Sequence, residues 1–265
     1  MLIKSLPVYL ILLVLGSCKK TDYLDINAAN RPSLTARISF VNARPVNTDL
    51  YFWTFTTKVT AAPVALNTAS GYLDAQYGSV QINVTQSSGT SYIVSREFGN
   101  SATFSASGGP NGPIATYYHT VFAARTADGL KDSLVLFYDD LTPPPAGKAK
   151  IRFIHFANGL APVDLVSTSG GDNTVFAGVA YGWAGNEVLS SPTVNVWSLG
   201  PFVTINAGKP GFTLRSTTTK ATIALTDDQI SNLTLQDGKI YTIFLNSIPG
   251  TTGQFGAYVL TQPAL

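Results

Sequence analysis

The sequence is poor in the residues that build catalytic and metal sites. Its 265 residues include one cysteine and two histidines. One cysteine excludes an intrachain disulfide and a cysteine-based zinc cluster, and two histidines argue against a multi-histidine metal site. The sequence contains no nucleophile elbow, phosphate-binding loop, H-E-x-x-H zinc motif or EF-hand loop. We therefore expect no catalytic residue and no cofactor, and a hydrolase is the least favoured alternative.

Charge is also scarce. Charged residues make up 12% of the chain and the formal net charge is +2, whereas a soluble domain has about 25% charged residues. Two surplus charges do not make the basic patch that binds nucleic acid, so we expect no nucleic-acid partner. Hydrophobic residues, at 45%, suffice for a buried core and exclude a chain that is disordered by composition.

The first 17 residues have the pattern of a cleaved export signal. An apolar run over residues 6–16 is shorter than the roughly 20 residues of a membrane-spanning helix and has the length of a signal-peptide core. The run leads into the tetrapeptide Leu15-Gly16-Ser17-Cys18, which contains the only cysteine. This tetrapeptide resembles the bacterial lipobox. The resemblance implies cleavage before Cys18 by the lipoprotein signal peptidase and acylation of Cys18.

The lipobox resemblance implies a protein that is held at a membrane through lipid on Cys18. Each buried methylene contributes about 0.8 kcal/mol, and several acyl chains together give permanent anchoring. Residues 18–35 are polar and aperiodic, and we interpret them as a flexible tether. The start Cys-Lys-Lys-x-Asp resembles mature lipoproteins of Bacteroidetes-type outer membranes. It implies an outer-membrane anchor in the cell envelope, with the periplasmic and the surface face both open.

Beyond the tether, the sequence predicts an all-β protein. Runs of about five to eight residues rich in Thr, Val, Tyr and Phe are bounded by Gly, Pro, Asn and Ser. No stretch of about 11 residues keeps the apolar period of a helix. The one helical signal is a capping box that begins at Thr226 and predicts a turn or two of helix over Asp227 and Asp228.

One sequence pattern occurs twice in the chain. Residues 37–42 match residues 150–155, and residues 119–122 match residues 241–244. Each copy has the length of an immunoglobulin-like sandwich. We therefore predict two tandem immunoglobulin-like antiparallel β-sandwich domains, separated by a proline-rich linker.

The predicted division of the chain is signal peptide 1–17, tether 18–35, first sandwich 36–142, linker 143–148 and second sandwich 149–265. The predicted core of the first sandwich is Ile38, Phe40, Leu50, Phe52, Ile82, Val84, Val121 and Val135. The predicted core of the second is Ile151, Phe153, Leu165, Val194, Val196, Ile223, Ile243 and Phe244.

Motifs of the second copy carry a family resemblance. They are Arg152 to Ala157, Pro162-Val163-Asp164, Tyr181-Gly182 and Leu235 to Phe244. Together they resemble the DUF4397 family, a domain of unknown function. The first copy departs further, since Asn42 stands where the second copy has His155. The resemblance implies two tandem copies of an extracytoplasmic β-sandwich of bacterial cell-envelope proteins, and it brings no catalytic residue.

Aromatic residues supply the candidate binding residues. Tyr51, Trp53 and Phe55 alternate along one predicted strand, so their side chains share the face that the core does not need. Aromatic rings can form a stacking platform for sugar rings or a protein-binding patch. Cover by a loop or by the other domain is the structural alternative. Trp183 is a further candidate with the same alternatives.

Paired carboxylates give one weak metal candidate. Asp227 and Asp228, together with loop carbonyls, have the oxygen ligands that calcium takes, although capping of the predicted helical turn is the favoured interpretation. We expect no other metal site. The whole sequence favours a non-enzymatic cell-envelope lipoprotein that presents two β-sandwich modules for binding or adhesion to a glycan or a protein. The alternative is a structural or assembly component of the outer membrane envelope.

We expect the substitution Cys18→Ser to abolish lipid attachment and to move the protein out of the membrane fraction, because the acyl chains have no other attachment site. Metabolic labelling with radioactive palmitate, followed by fractionation, measures both effects. Ser17→Ala keeps a small residue before the cysteine and serves as the control that retains the label. Equal labelling of the Cys18→Ser variant would contradict the anchor.

Overall fold

Every regular element in the described part of the chain is a strand. The computed structural model describes residues 34–99, 112–185 and 202–265, and the unit from Leu34 to Leu265 contains sixteen strands and no helix in those residues. The predicted all-β class is confirmed. No helix long and apolar enough to cross a membrane occurs among the described residues. The predicted signal peptide, the lipobox residues, Cys18 and all but the end of the predicted tether lie outside them.

Among the described residues, eight strands lie in each half of the chain. Those of the first half are β1 (Ala36–Asn42), β2 (Leu50–Thr54), β3 (Thr57–Lys58), β4 (Ala69–Ala75), β5 (Val80–Gln86), β6 (Tyr92–Phe98), β7 (Tyr118–Arg125) and β8 (Asp132–Asp139). Those of the second half are β9 (Lys148–Phe156), β10 (Val163–Ser167), β11 (Asn173–Val179), β12 (Val203–Asn206), β13 (Phe212–Ser216), β14 (Asp227–Asp228), β15 (Ile240–Ser247) and β16 (Phe255–Gln262).

The strands form four sheets, two from each half. The first half has an outer sheet, β3-β2-β5-β6, and an inner sheet, β4-β1-β7-β8. The second half has an inner sheet, β12-β9-β15-β16-β14, and an outer sheet, β11-β10-β13. Most neighbours are antiparallel, but β1 with β7, β9 with β15 and β14 with β16 are parallel. These parallel pairs depart from the predicted antiparallel pattern; they join strands far apart in sequence, which no local turn signal reveals.

Three apolar cores fill the spaces between the sheets. The first core lies between the two sheets of the first half and includes Phe40 and Phe52. The third core lies between the two sheets of the second half and includes Phe153 and Phe176. The middle core joins the two inner sheets and is built around Phe122, with residues from both halves of the chain. The described residues therefore form a stack of four sheets.

Most of the predicted core residues are found in the predicted cores. Seven of the first set, all but Val135, lie in the first core, and Ile151, Phe153, Leu165 and Ile243 lie in the third core. Ile223 packs against the third core while partly buried. Val135 and Phe244 contribute to the middle core instead, because their strands have a second buried face. Val194 and Val196 lie outside the described residues.

A fully buried ion pair joins the two inner sheets beside the middle core. Arg152 Nη1 on β9 lies 2.7 Å from Asp139 Oδ1 on β8, and both side chains are shielded from solvent. The other carboxylate oxygen accepts hydrogen bonds from Thr120 Oγ1 at 2.6 Å and from Tyr72 Oη at 2.7 Å. Burial, with Asp139 beside it, raises the pKa of Tyr72. The hydroxyl therefore remains a donor to the carboxylate.

Further polar contacts tie Arg152 and the rims of the inner sheets together. Arg152 donates to Thr242 Oγ1 at 3.0 Å and to the carbonyl of Tyr138 at 3.2 Å. At the rim, Asn246 Nδ2 donates to Asn67 Oδ1 at 2.8 Å. The inner sheets therefore meet through a network of polar contacts as well as an apolar core. The division into two sandwiches with a linker at residues 143–148 stays a prediction.

We expect Arg152→Leu to lower the free energy of unfolding by about 3–5 kcal/mol, because it leaves the Asp139 carboxylate buried without its cation. Urea unfolding followed by tryptophan fluorescence measures the change. The double variant Arg152→Leu with Asp139→Leu removes both charges and should recover part of the loss. A single variant as stable as the parent protein would show that the pair does not hold the inner sheets together.

Candidate functional site

Two of the predicted aromatic residues lie on the outer face of the first outer sheet. Tyr51 and Trp53 alternate with Phe52, which is fully buried in the first core, so the two rings point away from that core. Across the sheet, Tyr51 pairs with Thr85 and Trp53 pairs with Asn83. The predicted face is therefore formed, and both rings on it are partly exposed.

Two side chains from neighbouring strands complete an aromatic patch. Lys58 Nζ on β3 lies 4.5 Å from the centroid of the Tyr51 ring and 5.9 Å from that of Trp53. Tyr92 on β6 meets Trp53 edge to face, with centroids 6.2 Å apart, and its side chain is 44% exposed. We call Tyr51, Trp53, Lys58 and Tyr92 the aromatic patch. It combines three rings with one cation that lies over two of them.

Hydrogen bonds fix the rings of the aromatic patch. Trp53 Nε1 donates to Thr85 Oγ1 at 3.2 Å, and the Tyr92 hydroxyl donates to the carbonyl of Phe55 at 3.2 Å. Asn83 Nδ2 donates to the same carbonyl at 2.6 Å. The patch is therefore held in place by polar contacts beneath and beside its rings.

Phe55 does not share the face of Tyr51 and Trp53 in the predicted way. Strand β2 ends at Thr54, and Phe55 lies in the turn to β3 with a φ of 50°. Its side chain is 42% exposed, so it borders the patch only through its carbonyl. No local pattern indicates the turn between β2 and β3, because Phe-Thr contains no glycine, asparagine or proline.

Trp183 lies in the second half of the chain and has no place in the aromatic patch. It is partly buried against the third core. Its backbone N–H donates to Ala180 at 3.1 Å, and its carbonyl accepts from the backbone of His155 at 3.2 Å. These contacts favour a packing role for Trp183.

Polar side chains that the sequence did not single out lie on the same outer face. Glu97 on β6 pairs with Gln81 on β5, and Ser95 pairs with Asn83. Gln81 Nε2 donates to Asn83 Oδ1 at 3.0 Å, and Glu97 accepts from Ser79 at 3.0 Å. No local signal marks these residues, because only the register of three strands brings them beside the aromatic patch.

Asp227 and Asp228 form a short strand in place of the predicted helical turn. They pair in parallel with Gly256 and Ala257 of β16. The prediction of a helical turn is therefore wrong at this point, because the main chain forms hydrogen bonds with β16 instead. Asp228 Oδ1 still accepts from the backbone N–H groups of Ile230 at 2.9 Å and Ser231 at 3.0 Å. Burial raises the pKa of Asp228, but these hydrogen bonds outweigh it and lower that pKa below its usual value.

The calcium candidate gains no further carboxylate or histidine ligand from the described residues. No group of three or more His, Cys, Asp or Glu side chains assembles in residues 34–99, 112–185 and 202–265. One oxygen of Asp228 is already engaged by two backbone amides. The calcium assignment to Asp227 and Asp228 stays a prediction without structural support.

Both histidines are fully buried and take part in structural hydrogen bonds. His119 Nε2 accepts from the backbone of Ile114 at 3.1 Å, and its ring lies 5.0 Å from that of Tyr138. Burial lowers the pKa of His119 and that of His155 to about 4. Both rings are therefore neutral near pH 7, and each is enclosed where a substrate cannot reach it.

His155 performs the same local task as Asn42 in the first half. His155 Nδ1 accepts from the backbone of Ala157 at 3.1 Å, two residues along the chain. Asn42 Oδ1 accepts from the backbone of Arg44, also two residues along, at 3.3 Å. Asn42 and His155, which differ between the two copies of the sequence pattern, thus stabilise equivalent strand ends. In both cases a side-chain acceptor binds the backbone N–H two residues further along.

A family model matches part of the chain. Residues 36–166 match the family described as "Domain of unknown function (DUF4397)". The match runs from β1 into β10, so it covers both inner-sheet strands that carry the buried ion pair. It does not coincide with either predicted repeat, and the interpretation as two copies stays a prediction. A search of curated proteins finds no match.

Several solved structures show weak similarity. A candidate cell adhesion protein from Bacteroides uniformis is 8% identical, with a TM-score of 0.24 over 89% of this chain and 100% of its own. A candidate cell adhesion protein from Bacteroides eggerthii is 13% identical, with a TM-score of 0.20 over 88% and 97%. A fimbrial anchor protein from Porphyromonas gingivalis is 8% identical, with a TM-score of 0.22 over 85% and 96%. Scores this low carry no functional conclusion.

We expect the protein to lose stability as the pH falls from about 6.5 to about 4. In this range the histidines are protonated in the unfolded chain, whereas the buried rings of His119 and His155 stay neutral in the folded protein. The free energy of unfolding therefore falls by roughly 3 kcal/mol for each ring at pH 4. Urea unfolding at several pH values measures the slope. The substitution His155→Asn introduces the residue type found at Asn42, which makes the equivalent backbone contact. It should reduce the dependence of stability on pH while leaving the stability at pH 8 nearly unchanged. An unaltered slope would contradict this assignment.

Proposed function

We propose that the protein is a non-enzymatic lipoprotein of the cell envelope that binds a neutral glycan on the aromatic patch. The observation that carries the proposal is the grouping of Tyr51, Trp53 and Tyr92 on the outer face of one sheet, with Lys58 over two of the rings. Sugar rings present flat C–H faces that pack on aromatic rings, and their hydroxyl groups need polar partners nearby.

The surroundings of the patch favour an uncharged ligand. Lys58 contributes a positive charge, and Glu97 on the same face contributes a negative charge, so the face has no surplus of either sign. Gln81, Ser95 and Glu97 offer donors and acceptors for hydroxyl groups. A neutral saccharide uses both the rings and these polar groups, whereas a highly charged ligand meets repulsion from one of the two charges.

The rigidity of the patch supports a binding role. Trp53 and Tyr92 are each held by a hydrogen bond from the polar end of the ring. Rings that are already fixed lose little conformational freedom when a ligand stacks on them, so more of the contact energy appears as affinity.

The envelope location and the absence of catalysis are parts of the proposal with separate support. The tetrapeptide that ends in Cys18 resembles a lipobox, which supports export and lipid anchoring. The two imidazoles of the chain are buried in backbone contacts, which leaves the described surface without a histidine base. A protein ligand on the same patch is the alternative to a glycan.

We expect Trp53→Ala to weaken glycan binding at least tenfold, because truncation of a central aromatic anchor typically costs about 2 kcal/mol or more. The lipoprotein purified in detergent is applied to an array of neutral and charged saccharides, and the strongest ligand is then titrated calorimetrically. Leu130→Ala is the matched control, since Leu130 is 76% exposed in the turn between β7 and β8, outside the patch. Equal affinity of the Trp53→Ala variant would overturn the proposed site, and an array without any bound saccharide would overturn the glycan.

A further inference from the structure

Strand β16 has an open edge over its second half. On one side it pairs with β15 along its whole length, from Phe255 to Gln262. On the other side β14 pairs only with Gly256 and Ala257. In the described part of the chain, no strand continues the line of β14 beside Val259 and Thr261.

The main chain of β16 presents hydrogen-bonding groups along this open edge. The carbonyls of Phe255 and Ala257 accept from Thr226 and Gln229 on the side of β14. Because the pairing with β15 has no bulge, alternate residues continue to point the same way, which places the backbone groups of Val259 and Thr261 at the open edge. Thr261 is exposed to solvent.

A side chain already imitates the missing strand at one position. Gln229 Oε1 accepts from the backbone N–H of Val259 at 3.1 Å. A side-chain oxygen there takes the place that the carbonyl of a neighbouring strand takes elsewhere in the sheet. Beyond it, the backbone N–H and carbonyl of Thr261 face the open edge, where they could pair with a further strand. Among the described residues, no strand lies beside them.

A groove of about 680 Å³ runs along this edge. One wall is formed by β16, including Val259 and Thr261, and the other by the first inner sheet, including Ser39 and Tyr72. None of the residues that line the groove carries a formal charge. A single strand placed here would continue the second inner sheet and would lie opposite β4, the edge strand of the first inner sheet.

The open edge also lacks the charged side chains that most other edges have, although Pro263 lies where it ends. Natural sheet edges are commonly protected by charged side chains, which oppose pairing with another chain. Six of the eight edge strands among the described residues, β3, β4, β6, β8, β13 and β14, contain a charged residue. In contrast, the sequence from residue 240 to residue 265 contains no charged residue at all.

We propose that this groove binds an extended, uncharged peptide segment of a partner protein, which adds to the open edge of β16 as a further strand. The backbone groups of Val259 and Thr261 recognise the main chain of the peptide, and the uncharged walls select its side chains. A second copy of this chain is not the occupant we infer, because six of the eight edge strands among its described residues contain a charged residue, which does not match an uncharged groove. The aromatic patch is on the other side of the first half, so this site does not depend on it.

The test uses the full chain, purified in detergent, and a phage library of random twelve-residue peptides. We expect enrichment of uncharged peptides that bind the parent protein and bind Thr261→Pro at least tenfold more weakly, because proline removes a backbone donor at an edge position that tolerates it. Thr252→Pro, in an exposed turn outside the groove, is the matched control and should retain binding. Circular dichroism and urea unfolding establish that both variants are folded.

Two further readouts keep the test decisive if Thr261→Pro fails to fold. N-methylation of the enriched peptide at successive residues should weaken binding at every second residue, which is the signature of strand addition. Gln229→Ala frees the N–H of Val259 and should strengthen binding severalfold. A library without enriched peptides, or binding without the alternating pattern, would overturn the proposal. A parent chain that sediments as a dimer and becomes monomeric with Thr261→Pro would overturn it in favour of a second copy.

Discussion

The buried pair of Arg152 and Asp139 is the interaction on which the central part of the molecule depends. Two charges without solvent are tolerated only when their mutual attraction and further hydrogen bonds offset the loss of water, and here these contacts come from β4, β7, β8, β9 and β15. The pair therefore favours the arrangement of the two inner sheets that brings these five strands together. A purely apolar interface would allow the two inner sheets to pack in several relative positions. The buried ion pair favours one of them, because its contacts form only there.

This constraint explains where the molecule is free to bind. Strands β1, β7, β9 and β15 are buried on both faces, since each contributes to two cores. The side chains of these four strands are enclosed in the cores, so few of them can contact a ligand. Binding is left to the outer faces, the sheet edges and the loops. The aromatic patch occupies an outer face and the groove beside β16 occupies an edge, so both proposed sites lie where the cores leave side chains or main chain open to solvent.

The sequence predicts the parts of this structure that depend on local pattern. Alternation identifies the strands and most of the core, and it places Tyr51 and Trp53 correctly, because side-chain direction follows from the strand period. It does not predict that Val135 and Phe244 face the middle core, since that core forms only when two sheets from different halves pack together. Lys58 and Tyr92 join the patch only through strand register, and the capping signal at Thr226 is overridden by pairing with β16.

The position of β1 has a mechanical consequence. This strand lies near the start of the described chain and is held on both sides, antiparallel by β4 and parallel by β7. A force applied between Leu34 and a ligand on the aromatic patch would pass through β1 and the first core alone. It would load the hydrogen bonds beside β1 in shear, all together and not one at a time. The second half of the chain, and its bond to the first, would carry none of that load.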